Sequence, residues 1–259
     1  MSQFSSFIEK LKTRLDHTGV SLVSFDVTDS TNTRAKAYAA DAADLGPVLF
    51  VAREQSAGRG RLGRNFVSRL DGGIYMTLLY FVGRDIADAV TVTTAAAVAA
   101  AHAIESIAGE KVGIKWVNDI YNDQGKVAGI LVESLSVKNG YAVAVGIGIN
   151  VGVAEFPPEI CGVASSLRPL DADKKADIAM SICKGILDHA ACPRNREYMS
   201  QYRKLFILQG KTVDIYVSGE WRLRGTVDGV DDDGGLIISH GGTKTVFSSG
   251  EITVRVVDN

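Results

Sequence analysis

Apolar residues recur at helical spacing near the start of the chain. Phe4, Phe7, Ile8, Leu11 and Leu15, with Gly19 after the last turn, predict an amphipathic helix over residues 4–17. Residues 21–27 then read as a short strand. Asp29-Ser30-Thr31-Asn32, all of the capping type, open a helix reaching about Ala43. Such a cluster caps a helix first of all, and it also gathers hydroxyl and amide groups that can hold a polar ligand. Residues 48–52 and 73–81 are β-rich apolar runs. The alanine-rich stretch 91–108 carries His102 and Glu105 and lacks an unbroken span of about 18 apolar residues, so it reads as a buried helix and not a membrane span. Three successive strands follow at 113–121, 126–134 and 141–151, the first two joined at the turn Asn122-Asp123-Gln124-Gly125. Residues 174–190 and 195–206 read as helices.

The pattern changes from about Gln209. Five short runs, 211–217, 222–230, 235–239, 243–247 and 252–257, are separated by Ser-Gly, Asp-Asp-Asp-Gly, Gly-Gly and Ser-Ser-Gly breaks, the spacing of a small β-barrel. The expectation is an α+β protein: a mixed, mainly antiparallel sheet with flanking helices over residues 1–207, and a small barrel over 208–259.

Composition narrows the function. With 259 residues, 46% hydrophobic and 22% charged, the chain can bury a full core. A formal net charge of −2 argues against a surface built throughout to hold nucleic acid, so any anion site is local. No apolar run precedes a small-residue cleavage site, and one helix before the first strand is less chain than a helix-turn-helix module needs. Cys161, Cys183 and Cys192 lack metal spacing and read as reduced thiols of a cytoplasmic protein. His17, His102, His189 and His240 are scattered, Trp116 and Trp221 read as core, and Asp231 to Asp233 as a solvated turn without EF-hand spacing.

The local cations are concentrated in QSAGRGRLGR, residues 55–64. Gly58 to Gly63 match G-x-G-x-x-G literally, yet Arg64-Asn65-Phe66 and Asp71-Gly72-Gly73 lead to a strand, so no helix N-terminus follows for a pyrophosphate. A P-loop is excluded because no G-K-[ST] follows. Three readings remain: a solvated turn, a nucleic-acid contact, or a loop whose arginine forks and pliable glycines close over a small phosphate-bearing ligand. Lys115-Trp116-Val117-Asn118-Asp119, read as continuous strand, puts Lys115, Val117 and Asp119 on one face. The turn at 122–125 brings Lys126 close to Asp119. A lysine–carboxylate pair alone is worth little, but beside three arginines it becomes a candidate for handling charge in a reaction.

Taken in order, Ser30-Thr31-Asn32, GRGRLGR at 58–64, KWVND at 115–119, KVAGILVE at 126–133 and GIGIN at 146–150 resemble the motif series of the biotin protein ligases, in the form without a DNA-binding domain. The resemblance implies a class II synthetase-like catalytic domain with an SH3-like barrel. It also implies activation of biotin with ATP and magnesium to biotinyl-AMP, and transfer to a lysine of a biotin carboxyl carrier domain, with no nucleic acid or membrane partner and a homodimer compatible with the form. By the same resemblance, Ser30, Thr31, Asn32 and Gln55 would hold the biotin rings. Gly58, Arg59, Gly60 and Arg61 would close over carboxylate and phosphate. Lys126 would be the main catalytic cation, with Arg61 and Asp119, and Gly129, Gly146, Ile147 and Gly148 would wall the ligand. Arg61, Arg64, Phe66, Lys115, Asn118, Lys126, Ile147 and Asn150 would face the nucleotide, and magnesium would lie near Asp119.

Two positions depart from the pattern: Val117 where proline is more frequent, and Phe66 where some members have tryptophan. The rival enzyme is a lipoate or octanoate ligase, whose members generally lack the GRGR loop. The rival from another class is a nucleic-acid binding module using the same arginines.

Overall fold

The computed structural model describes residues 2–41, 46–68, 71–82, 89–138, 140–248 and 252–257. The first apolar stripe forms α1 (Gln3–Leu15), whose N-cap Ser2 accepts from the Ser5 amide at 3.1 Å and whose Phe7, Ile8, Leu11 and Leu15 are buried. β1 (Ser21–Thr28), α2 (Thr31–Asp41), β2 (Val48–Gln55) and β3 (Gly73–Val82) follow. The expected end of α2 near Ala43 lies outside the described residues, as does most of the Ser-Ser-Gly break at 248–250. α3 (Ala89–Ala103) continues as a π-helical turn to Ala108 and stops at Gly109, in the left-handed region at φ 69. Ala89–Ala108 is long and apolar enough to cross a membrane by length and composition. However, 67% of its most apolar window is buried inside the protein, in accord with a core helix.

β4 (Gly113–Lys115), β5 (Asp119–Tyr121), β6 (Lys126–Val137), β7 (Gly140–Asn150), α4 (Ala172–Ala191) and α5 (Tyr198–Leu205) complete the larger part. β8 (Thr212–Val217), β9 (Glu220–Val230), β10 (Leu236–His240), β11 (Thr243–Phe247) and β12 (Ile252–Val256) match the five predicted runs. The larger sheet has the order β1-β2-β3-β7-β6-β5-β4, with only β1 and β2 parallel. The smaller is antiparallel, ordered β11-β10-β9-β8-β12, with register shifts at Ile215/Tyr216 and Ile237/Ile238 that bend it toward a barrel. The fold is thus α+β with a mainly antiparallel sheet.

Strand alternation separates two apolar layers. Leu49, Val51, Met76, Leu78, Val143, Val145, Ile147 and Ile149 join the main core with α1, α3 and α4. Val48, Phe50, Leu79, Ala142 and Ala144 meet Ala35 and Ala39 of α2 on the opposite face. On β7, period 2 then places Gly146 and Gly148 beyond Ala142 and Ala144 on that second face, at the N-terminal end of α2, where Asn32 packs on Gly146.

Two expectations are corrected. Residues 113–121 are not one strand. β4 and β5 are a hairpin in which Lys115 pairs directly with Asp119, and Trp116 to Asn118 form the turn. Burial drives the reversal: Trp116 and Val117 are 6% and 0% exposed, which an extended edge segment could not achieve for both neighbours. The Trp116 indole donates to the Gly234 carbonyl at 2.9 Å, and the Tyr202 hydroxyl donates to the Val117 carbonyl at 3.2 Å, pinning the turn from two sides. Trp221 is not core. It is 57% exposed on the solvent side of β9 and donates to Asp214 at 3.2 Å, because Val213, Ile215, Val227, Leu236 and Ile238 already fill the inner face. Cys183 is buried, Cys161 and Cys192 are exposed, and all three are free thiols.

Candidate active site

Two adjoining cavities lie where the glycine end of β7, the start of β6, the N-terminus of α2 and the arginine loop converge. The first is lined by Ser30, Thr31, Asn32, Gln55, Arg59 and Gly60, by Gly129, Gly146, Ile147 and Gly148 from the strands, and also by Arg61, Phe66, Asn118 and Lys126. The second is lined by Arg64, Lys115, Asp119 and Asn150 together with Gly60, Arg61, Phe66, Asn118 and Lys126. Those last five residues face both spaces and form a shared neck. Of the residues read from the sequence, Gly58 lines neither cavity. Ile147, expected at the nucleotide, lines the first.

The first cavity is held by a relay of side chains. The Thr31 amide donates to Gln55 Oε1 at 2.8 Å, Gln55 Nε2 donates to Ser68 at 2.9 Å, and Thr77 Oγ1 lies 2.8 Å from Thr31 Oγ1 and 2.6 Å from Asn32 Oδ1. Asn32 Nδ2 donates to Glu133 Oε2 at 2.9 Å, and Lys36 Nζ donates to Glu133 Oε1 at 2.6 Å. Burial works against the Glu133 carboxylate, but the Lys36 and Asn32 hydrogen bonds and the charges of Lys36 and Arg59 outweigh it and hold its pKa below the ordinary value. Asp29 is likewise lowered, burial being outweighed by hydrogen bonds from the Ser30 amide and Thr28 hydroxyl and by the Arg34 charge.

Close approach explains two glycines. A Cβ on Gly146 would lie 2.0 Å from Asn32 Oδ1, and one on Gly148 would lie 2.5 Å from the Phe66 ring. The Asn32 amide and the Phe66 ring therefore occupy the space that side chains on β7 would take at these positions. Phe66 also meets Tyr75 edge to face at 6.2 Å.

The arginine loop contains a single 3₁₀ turn, Arg61–Gly63, and closes as a narrow ribbon in which Arg59 pairs with Asn65. Among the described residues the next element after it is the strand β3, as expected for a loop that is not a dinucleotide-binding turn. The Phe66 amide donates to the Gly58 carbonyl at 2.9 Å, and a Cβ on Gly58 would strike the Phe66 carbonyl at 2.3 Å, so Gly58 is the base of the ribbon. Arg61 Nη1 donates to Asn118 Oδ1 at 3.3 Å, and Asn118 Nδ2 donates to the Ile130 carbonyl at 2.7 Å. Arg64 reaches Thr253 of β12 at 3.4 Å.

Lys126 Nζ sits 2.7 Å from Asp119 Oδ1. The two backbones are offset along the ladder, since Asp119 opposes Gly129, and the lysine chain folds over Gly129 to reach it. Burial lowers the pKa of Arg61 despite the attraction of Asp119, and lowers that of Lys115 for the same reason. The Lys115 ammonium stands 5.2 Å from the Tyr121 ring centre, and burial pushes Tyr121 up to about 12.

Sequence reasoning missed residues that support the site and residues that line it. Thr77 is a hydroxyl inside the apolar run GIYMTLLYF, and that break in pattern was the available signal. Glu133 and Lys36 gave none. Phe156, Ile160 and Val163 form an apolar wall of the second cavity, and Ile252, Thr253 and Arg255 bring β12 to its rim. Arg61, Arg64, Lys115, Lys126 and Arg255 face Asp119 there, an excess of cations suited to a polyanion. A further consequence is testable: Trp116→Phe, which keeps the buried ring but drops the bond to Gly234, is expected to lower stability by about 1–2 kcal/mol. Urea unfolding that left the midpoint unchanged would show that this anchor is idle.

A polar, part-apolar cavity that opens through a cationic neck onto a polyanion-sized one defines a site for joining a small acid to a phosphate. The model of the biotin/lipoate A/B protein ligase family matches residues 24–150. The bifunctional ligase/repressor BirA of Bacillus subtilis is 32% identical over 245 residues, covering 89% of this chain and 73% of that protein. The biotin–[acetyl-CoA-carboxylase] ligase of Paracoccus denitrificans is 31% identical over 240 residues, covering 87% and 97%. Among solved structures, the biotin protein ligase from Aquifex aeolicus in complex with biotin and ATP superposes with a TM-score of 0.76 at 27% identity, covering 92% of this chain and 99% of that one. The chain belongs to the biotin/lipoate protein ligase family.

Proposed function

We propose that this protein is a biotin protein ligase: it condenses biotin with ATP to biotinyl-5'-AMP, releasing pyrophosphate, and transfers biotin to a lysine of a biotin carboxyl carrier domain in the cytoplasm. The observation that carries the reading is the shared neck, because Lys126 and Arg61 border both cavities. Biotin in the first cavity would extend its carboxylate into the neck, and ATP in the second would present its α-phosphate there. Lys126 and Arg61 would draw the two anions together and stabilise the charge that accumulates as the carboxylate oxygen bonds phosphorus and pyrophosphate departs. Asn118, bonded to Arg61 and to the Ile130 carbonyl, would keep that guanidinium aimed at the neck. In the second step the carrier amine attacks the acyl carbon of the anhydride and AMP leaves. Asp119 would orient the amine and take its proton, with Lys126 shifting to the departing phosphate.

Ser30, Thr31, Asn32 and Gln55 would bind the biotin rings, with Phe66 and the backbone at Gly129, Gly146 and Gly148 as walls. Arg64, Lys115 and Asn150 would meet the nucleotide. No cluster of three acidic, histidine or cysteine groups occurs among the described residues. Among the described residues Asp119 is the carboxylate lining the second cavity, a donor set that fits magnesium held mainly by ATP phosphates. Bound there, magnesium would neutralise phosphate charge. Residues 1–207 would form the catalytic unit and 208–259 a second unit that covers the nucleotide cavity through β12.

ATP–pyrophosphate exchange with biotin, lipoate and octanoate offered separately tests the reading. Exchange with biotin alone is expected. Exchange only with lipoate or octanoate would overturn the substrate, and none with any acid would bring forward the nucleic-acid reading, whose mark is affinity falling steeply with salt.

A further inference from the structure

Asn32 has almost all its hydrogen-bonding capacity occupied by protein. Its two amide protons go to Glu133 Oε2 at 2.9 Å and to the Leu131 carbonyl at 3.4 Å, and its oxygen accepts from Thr77 at 2.6 Å. An ionised carboxylate only accepts, so Glu133 dictates that the nitrogen of Asn32 faces it and the oxygen faces Thr77. Asn32 lines the first cavity, and the capacity left on its amide is one lone pair of Oδ1. The two oxygens of Glu133 serve different donors, Oε1 taking Lys36 and Oε2 taking Asn32.

We infer that Glu133, clamped by Lys36, is the positioning residue that sets substrate specificity, by locking the Asn32 amide so that the first cavity presents an acceptor and demands an N–H donor from the acid it binds. This rests on the proposed function. A cyclic urea supplies that donor. The dithiolane ring of lipoate and the alkyl chain of octanoate do not, and would leave a buried acceptor unpaired. Glu133 lies outside the neck and does not touch the reacting atoms. Its removal therefore acts on binding more than on the chemical step.

Glu133→Gln separates this device from general structure. Glutamine has one side-chain oxygen for two donors. If Lys36 claims it, the glutamine NH₂ faces Asn32 and forces the amide to flip, so the cavity offers a donor where biotin also offers one. The expected result in pyrophosphate exchange is a biotin KM raised on the order of 10–100-fold, with kcat at saturation within about threefold of the parent. Lys36→Met combined with Glu133→Gln frees the glutamine oxygen for Asn32 and is expected to return KM to within about threefold of Lys36→Met alone. A Glu133→Gln KM equal to the parent's, or a double variant as impaired as Glu133→Gln, would overturn the inference. If Glu133→Gln does not fold by circular dichroism, the comparison of Lys36→Met with the double variant decides: equal KM supports the clamp, and a rise refutes it. Failure of the unsubstituted protein to use biotin would strike the function itself, a separate result.

Discussion

Lys126→Ala is expected to lower the rate of biotinyl-AMP formation by a factor on the order of 10²–10³, the loss that follows removal of one positioned donor to developing charge. Biotin affinity is expected to change by less than about tenfold, because the ring contacts through Ser30, Thr31, Asn32 and Gln55 remain in the first cavity, which Lys126 borders at the neck. The variant has a second effect. Asp119, 25% exposed in its side chain and 2.7 Å from Lys126, loses its ion-pair partner, and its charge beside the neck is then balanced only by the more distant cations such as Arg61 and Lys115. Single-turnover formation of adenylate from radiolabelled ATP measures the first effect, and equilibrium binding of labelled biotin measures the second. Adenylate forming at the parent rate would show that Arg61 and its neighbours suffice and that the catalytic cation has been misassigned. The combined change Lys126→Ala and Asp119→Asn removes both charges, and recovery of several-fold over the single variant would apportion the loss between missing cation and unpaired anion.

Gly146→Ala is the other large effect. Its Cβ would lie 2.0 Å from Asn32 Oδ1 and 2.8 Å from Cγ, so the amide must move by more than an ångström. An exposed asparagine would swing aside at little cost. Asn32 cannot, because Thr77, Leu131 and Glu133 hold it on three sides and it is 3% exposed. Displacing it breaks bonds within the site and withdraws a ligand group together. The expected outcome is a biotin KM raised on the order of 100-fold and a stability loss of about 1–3 kcal/mol, the range for leaving buried polar groups unpaired. Steady-state exchange kinetics beside a urea melt would check both, and an unchanged KM would mean that Asn32 does not contact the substrate. By contrast, alanine at Gly148 pushes against the Phe66 ring, whose place in both cavities makes adenylation and binding suffer together.

Much of the fold is legible in local pattern. The stripe Phe4, Phe7, Ile8, Leu11, Leu15 is a helix face whichever partner covers it, and Asn122 to Gly125 make a turn from their own chemistry. The Asn122 side chain accepts from the Gln124 and Gly125 amides at 3.0 Å. The misreadings arose where tertiary forces override the pattern. KWVND lies between β-rich residues and contains no glycine or proline, yet it turns because Trp116 and Val117 are drawn into the core and held by Gly234 and Tyr202, more than 80 residues away. Trp221 alternates with strand period too, but which side of β9 faces the core depends on which sheet it joins.

The site divides along the same line. By itself the sequence determined the kinds of group available and their order: hydroxyl and amide side chains at a helix start, arginines among glycines, a lysine and a carboxylate across a turn, and glycines along a strand. Those are properties of single segments. Only the tertiary structure decided that Thr77, Glu133 and Lys36 govern Asn32, that Gly58 supports the loop without lining the cavity, and that β12 reaches the second cavity. Asn32 and Glu133 stand 101 positions apart, and Arg64 and Thr253 stand 189 apart. Such pairs meet through the strand order β3-β7-β6-β5 and the docking of the C-terminal sheet. Hydrophobic periodicity fixes which face of an element seeks cover, but not which distant element supplies it, because burial of apolar surface is non-directional.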